Sequence, residues 1–415
     1  MQAAALSAFT ETASTQRHIC LVTETYPPEI NGVSLTLAHL VKGLLELGHA
    51  VSMVRPRQRR IDYTDRDHDC ETILVRGLPL PGYHGLQFGL PARGLLRRSW
   101  THRRPDVVYV ATEGPLGLAA VRTARRLAIP AFSGFHTNYH IYSRHYRVGC
   151  LQQLAFRYLR AFHNQTAGTF VPSTDLRDRL DGCGFKNVSV LGRGVDNRLF
   201  APERRCFELR RRWGLADNDL AVLYVGRLAA EKNIGLAIDA YRAMKRCSAR
   251  MKFVIVGDGP LSVVLQKEHR DLIFCGLQTG AELAKHYASA DVFLFPSETE
   301  TFGNVTLEAM ASGLVVVAYN YAAAKIHISH GQTGILVPYG DLQAFVSLSA
   351  GLVRERQYLQ RIRRQAREYA SSIEWPRVVE RFEALLTAAC HQGQTDRASS
   401  MTRGKLAAWS EEGGC

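Results

Sequence analysis

The sequence predicts an α/β protein made of two doubly wound domains in succession, and three observations lead there. Short runs rich in Val, Ile, Leu and Phe recur along the 415 residues in two blocks. Amphipathic stretches of helical period lie between them. Glycine and polar residues gather just past the ends of several runs, the positions at which parallel sheets bind ligands.

Strands of the first block are expected at 18–23, 50–54, 72–75, 106–111, 129–133, 168–171 and 187–191. Those of the second fall at 220–225, 252–256, 272–274, 292–295, 314–318 and 334–337. Amphipathic stretches at 33–47, 234–245 and 281–288 alternate with them, as βαβ units require. No internal repeat of roughly 20–50 residues is present. The domain boundary is expected near 194–203, around Pro202, giving Rossmann-like domains over 17–198 and 199–375. A last helix at 377–389 lies in a segment, 376–390, read as packing back toward the first domain. Residues 1–16 read as a flexible extension and the polar stretch 391–415 as a flexible tail.

Composition narrows the class. With 46% hydrophobic and 22% charged residues the chain reads as an ordinary globular protein. No apolar run reaches the roughly 18 residues of a membrane span, and the first sixteen residues lack the basic start and apolar centre of a signal peptide. A cytoplasmic location is expected. Nine scattered cysteines with no C-x-x-C pair suit neither a disulfide framework nor a zinc site. The net charge of +14 is uneven: residues 1–200 hold 25 Lys and Arg against 15 Asp and Glu. Arg55, Arg57, Arg59 and Arg60 form one basic cluster, and Arg93, Arg97, Arg98, Arg103 and Arg104 form another. These read as solvated surface or as contact with an anionic membrane face, the inner leaflet in a cytoplasmic protein. No nucleic-acid fold signature or aromatic interleaving accompanies them, so nucleic acid is not an expected partner.

Four clusters carry chemistry. The first runs from Phe295 through Glu300, Gly303 and Asn304 to Glu308, following a strand and opening a helix at about Asn304. Amides of Asn304 and Val305 at that helix start would face an anion, and Gly303 would let the backbone approach it. Glu308, one turn in, leans toward the helix start and would accept hydrogen bonds from a ribose diol. Glu300, on the loop before the helix, would hold sugar hydroxyls. An isolated pair of glutamates would equally read as a capped, solvated helix start. In the second cluster, Val225-Gly-Arg227 to Lys232-Asn233, both cations suit a diphosphate, and neither gains from its place near a helix start. The third, Thr23 to Val33, offers Gly32 at a turn between strand and helix; it is neither a Walker loop nor a dinucleotide fingerprint. The fourth sets His136 just past a strand end, with His140 and His145 as surface or acceptor-side companions and no H-E-x-x-H metal spacing.

Together these residues resemble the family 4 retaining glycosyltransferases of GT-B fold, in which two Rossmann-like domains face each other across a cleft. Glu300 and Glu308 match the Glu-x7-Glu signature, and Val225-Gly-Arg-Leu, Lys232-Asn233, Val256-Gly-Asp-Gly-Pro260 and Gly194-Val-Asp196 match further phrases. The resemblance covers about residues 17–390. Phe135-His-Thr-Asn138, Leu191-Gly-Arg-Gly-Val-Asp196 and Tyr321-Ala-Ala-Ala324 resemble the branch of GDP-mannose-dependent mannosyltransferases and sulfolipid synthases.

The resemblance implies a first domain for the acceptor and a second for a nucleotide-sugar donor. It gives Arg227 and Lys232 the leaving diphosphate, Glu308 the ribose, and Glu300 with the Gly303–Val305 amides the sugar and distal phosphate. His136 would touch the donor sugar and Gly32 would lie near the phosphate. Catalysis then rests on orientation and on stabilising the leaving phosphate, with neither metal nor cofactor, because cations and helix start supply the positive field. The implied reaction passes a hexose, foremost mannose from GDP-mannose, to a lipid or glycan acceptor at the cytoplasmic membrane face, the chain being peripheral there. A UDP-sugar-dependent glycolipid or sulfolipid synthase is the alternative. An epimerase or phosphorylase of related fold and a basic membrane- or nucleic-acid-binding module are the other readings. Three departures stand out: Asn31-Gly32 replaces a common Gly-Gly, Val315 a common proline, and the stretch Lys325-Ile326-His327 carries no glutamate.

Overall fold

A computed structural model describes residues 16–29, 31–57, 70–79, 87–136, 149–248, 250–300 and 302–388. Asn138, His140, His145, Arg59, Arg60, most of the expected N-terminal extension and the expected tail lie outside them. The described residues fall into two compact units, one within 1–29, 40–133 and 385–415, the other within 30–39 and 134–384.

In the first unit the strands β1 (His18–Val22), β2 (Ala50–Pro56), β3 (Glu71–Val75), β6 (Val107–Val110) and β7 (Ala131–Gly134) lie in the order β3-β2-β1-β6-β7. Neighbouring strands among them pair in parallel. A short antiparallel hairpin, β4 (Gly77–Pro79) with β5 (Gln87–Gly89), was not expected from the sequence. Its three-residue strands are too short to show alternation.

The second unit contains the parallel pair β8 (Gly168–Val171) and β9 (Val188–Val190) and a six-stranded parallel sheet. The sheet comprises β10 (Leu220–Val225), β11 (Met251–Val256), β12 (Ile273–Phe274), β13 (Val292–Phe295), β14 (Val315–Tyr319) and β15 (Ile335–Val337), in the order β12-β11-β10-β13-β14-β15. Successive side chains of a strand point to opposite faces, and here both faces are covered. Ala221, Leu223 and Val225 enter one core with Tyr287, Leu307 and Met310, while Val222 and Tyr224 enter the other with Ile234, Met244 and Phe345. Two buried faces are why these strands read as unbroken apolar runs. Val315, the departure noted above, is fully buried on β14.

The strand order reverses between β10 and β13, which pair directly (Val222 with Val292, Leu223 with Phe293). The loops leaving their carboxyl ends diverge there, and that is where an open α/β sheet binds its ligand. At the opposite end a charge cluster fixes the two strands. Asp291, just before β13, is 2% exposed and is met by Arg205 at 3.1 Å, Arg210 at 3.2 Å and Arg363 at 2.9 Å. It also accepts the amide of Ala221 at 2.8 Å, at the start of β10. Arg205 and Arg210 donate in addition to the carbonyls of Ala288, Ser289 and Ala290, ending the helix Gly280–Ser289.

Removing one partner of a buried charge cluster leaves the others uncompensated. Asp291→Ala is therefore expected to cost about 3 kcal/mol of stability, seen as a lower midpoint of denaturant unfolding. An unchanged midpoint would show that the backbone carbonyls alone hold the three arginines.

Candidate active site

Beyond the carboxyl end of β10 the chain runs through Gly226 and Arg227 into a 3₁₀ turn, Ala230–Lys232. Asn233 adopts a left-handed conformation, φ 50° and ψ 42°, and the helix Ile234–Cys247 follows. Beyond β13 lies the loop of Ser297, Glu298 and Glu300, then the helix Asn304–Ala311. Side chains join the two loops across the reversal. Lys232 Nζ donates to Glu300 Oε1, and to the carbonyl of Thr299 at 3.2 Å. Ser297, 3% exposed, donates to the same Glu300 oxygen at 2.7 Å. Tyr321 donates to the Glu300 carbonyl at 2.7 Å, and Asn233 Nδ2 donates to Glu298 at 3.2 Å. Lys232 and Glu300 keep only 19% and 15% of their side-chain exposure, so the pair is little screened.

The helix start beside them is uncapped. Its N-cap is Gly303, with no side-chain hydrogen bond, at φ 94° and ψ 61°, a left-handed conformation that favours glycine. The first amides of an α-helix have no partner in its own ladder. Here Asn304 and Val305 supply them, and Thr306 turns back to the Gly303 carbonyl at 3.1 Å. A second helix start, that of Gly32–Glu46, comes near: a Cβ on Gly32 would lie 3.8 Å from Asn304 Nδ2. That start is capped from within, because Asn31 Oδ1 accepts the amides of Val33 at 3.1 Å and Ser34 at 2.9 Å. The asparagine in place of a common glycine thus uses up two donors that the other helix start leaves open.

The remaining expected residues make contacts of their own. Arg227 is half exposed, with Nη1 3.8 Å from Glu231. Glu308 is partly buried and accepts the Tyr287 hydroxyl at 3.0 Å. Burial pushes its carboxyl up to about 7, against the pull of that hydrogen bond. His136, just past β7, meets Arg193, whose Nη2 lies 3.0 Å from Nδ1 of the ring. Lys325, in the stretch that carries no glutamate, pairs with Asp175. Among the described residues no three His, Cys, Asp or Glu side chains converge as metal ligands would.

Sequence reasoning missed the residues that hold the site residues in place: Ser297, Tyr321, Tyr287 and Arg193. It also missed Glu24, which follows β1 in the first unit, where the strand order reverses between β1 and β6. The Glu24 carboxylate accepts the Gly89 amide at 3.3 Å and the Leu116 amide. A Cβ on Gly114 would fall 2.1 Å from its Oε1, so a larger residue there would displace the carboxylate. Burial pushes Glu24 up to about 7. Its place directly after the first strand was the available signal.

A basic lysine, a carboxylate and an open helix start, grouped at a sheet's reversal, suit an anion attached to a polyhydroxyl group. Comparison with known proteins agrees. Residues 30–199 match the profile of Glycosyltransferase Family 4, and residues 219–355 that of Glycosyl transferases group 1. A GDP-mannose-dependent alpha-mannosyltransferase of Mycobacterium tuberculosis is 33% identical over 371 residues, covering 87% of this chain and 94% of its own. The sulfoquinovosyl transferase SQD2 of Arabidopsis thaliana is 29% identical over 375 residues, covering 88% of this chain and 72% of its own. In fold, the chain matches Anabaena HepE in complex with UDP and glucose, with a TM-score of 0.71, 20% identity, and coverage of 90% and 100% of the two chains. The two Rossmann-like sheets, the site at the reversal and these likenesses lead to one conclusion: the chain belongs to glycosyltransferase family 4, with the GT-B fold.

Proposed function

We propose that this glycosyltransferase passes mannose from GDP-mannose to a lipid or glycan acceptor with retention at the anomeric carbon. The observation that carries the donor site is the Lys232–Glu300 pair beside the uncapped helix start at Asn304. On donor binding, Lys232 turns from Glu300 to the diphosphate, with Arg227 supplying a second cation and the Asn304 and Val305 amides the helix-start field. Glu300, released, takes sugar hydroxyls. Glu308 takes the ribose diol, His136 the sugar, and Gly303 and Gly32 border the phosphate. The leaving diphosphate is thereby stabilised by fixed donors, the kind of preorganisation that lowers a barrier most. These cations do the work a metal would otherwise do, so neither metal nor cofactor is assigned.

The mannosyl donor is supported by the likeness to GDP-mannose-dependent mannosyltransferases. The second reading, a UDP-sugar-dependent glycolipid or sulfolipid synthase, is favoured by likeness to the sulfoquinovosyl transferase and to an alpha-monoglucosyldiacylglycerol synthase of Streptococcus pneumoniae. Both readings suit a lipid acceptor and a peripheral place at the cytoplasmic membrane face. No described helix is long and apolar enough to cross a membrane. The helix Arg93–His102 exposes Arg93, Leu95, Arg97 and Arg98, a basic surface suited to anionic headgroups.

Four outcomes test this reading. Lys232→Ala is expected to lower turnover of the nucleotide sugar by roughly 100- to 1000-fold and to weaken nucleotide binding. Glu300→Ala should lose turnover while keeping nucleoside diphosphate affinity, since it removes no cation. Full activity in both variants would remove the site assignment, and comparing GDP-mannose with UDP-sugars decides the donor. For Glu308, the raised carboxyl is neutral below about 7 and ionised above it. Only the ionised form is a pure acceptor for a diol, so donor affinity should rise from about pH 6 to about pH 8. Titration calorimetry should show that Glu308→Gln flattens this rise; a slope unchanged in the variant would place the ribose elsewhere. Co-sedimentation with anionic vesicles should weaken with salt and with Arg97→Glu plus Arg98→Glu, and equal binding by that double variant would remove the basic helix from membrane contact.

A further inference from the structure

The phrase Leu191-Gly-Arg-Gly-Val-Asp196 follows β9 and carries the arginine that meets His136. Arg193 is 6% exposed, an uncommon place for a cation. Its Nη1 lies 3.5 Å from the Leu191 carbonyl and 3.4 Å from that of Gly192, both at the edge of hydrogen-bond range. Its short contact is with a ring: Nη2 stands 3.0 Å from His136 Nδ1, across 57 residues of sequence.

We propose that Arg193 is a positioning residue that holds His136 neutral with its hydrogen on Nε2, so that His136 meets the donor sugar as a hydrogen-bond donor. The inference rests on the proposed place of His136 at the donor. A guanidinium has five N–H groups and no acceptor, and it does not lose its proton in proteins. Nδ1 must therefore offer its lone pair to Arg193, and in a neutral imidazole the hydrogen then sits on Nε2. Protonating the ring would set one N–H against another and bury a second positive charge beside the first. Burial, then the Arg193 charge, then that of His163 hold His136 well below the ordinary histidine value. His163 is fully buried and packs its ring 5.2 Å from that of Phe135, the residue before His136. Arg193 and His163 therefore act in the same direction. A ring locked this way carries a directed donor at Nε2 and does not serve as a base through that atom. It keeps this form across the pH range in which an ordinary histidine gains its proton.

Nitrogen NMR of the full chain with 15N-labelled histidine reads the tautomer directly, with the His136 signals assigned by their loss in His136→Gln. In the wild type, Nδ1 is expected to be unprotonated and Nε2 protonated through the ordinary histidine range. Arg193→Met should release the lock, giving both tautomers and proton uptake at higher pH. It should also lower kcat by roughly 10- to 100-fold with less change in donor KM and add an acid limb to the pH profile. Arg193→Lys, which keeps a charge and a donor, should retain the wild-type tautomer. A wild-type ring protonated on Nδ1, or a folded Arg193→Met with unaltered tautomer and titration, overturns the inference without recourse to any variant's activity. A lost lock with unchanged turnover would overturn instead the placement of His136 at the donor.

Discussion

The parallel pairing of β10 with β13 is the constraint on which the site depends. Because sequence-distant strands lie side by side there, the loops after them part, and the crevice between those loops is lined by helix starts. The Asp291 cluster fastens the amino ends of the same two strands, with three arginines and the Ala221 amide on one carboxylate. A rigid base at one end and an open crevice at the other follow from the same pairing. The two loops deliver the pair proposed to meet the donor, Lys232 from one and Glu300 from the other.

Those two residues are paired at rest, and the magnitude of that pairing matters. Opposite unit charges about 4 Å apart attract by roughly 4 kcal/mol at an effective dielectric of about 20. A diphosphate carries more charge than one carboxylate, and in the proposed donor complex it also meets Arg227 and the helix-start amides, which together favour its displacing Glu300 from Lys232. The pair thus keeps a half-buried lysine from standing uncompensated. The two nearby helix starts have been divided between tasks by single residues. Asn31 closes one by capping it; Gly303, in a conformation favouring glycine, leaves the other open.

Much of this was legible in the sequence because parallel strands buried on both faces leave unbroken apolar runs. All thirteen expected strands are present, and the residues past their ends include the Lys232–Glu300 pair. The hairpin at 77–79 and 87–89 was not legible, since three-residue strands carry no period. Nor were the supporting side chains. Tyr287 reaches Glu308 across 21 residues and Arg193 reaches His136 across 57, and no local pattern announces such contacts. Arg193 lay inside a phrase that resembled the family, yet resemblance alone gave it no role. The resting partnership of Lys232 with Glu300 was also hidden, because each was read as a contact for the donor and neither as a contact for the other.

The central claim is that this crevice holds a nucleotide diphosphate sugar. Thermal unfolding with GDP, GDP-mannose, UDP and UDP-glucose tests it most directly, because a ligand that binds only the folded chain must raise its stability, by about 2.7 kcal/mol at a concentration of about 100 times Kd. The account predicts an upward shift of the unfolding temperature with one nucleotide class, largest for the donor itself and lost in Lys232→Ala. No shift with any of the four, or an equal shift in Lys232→Ala, would contradict it.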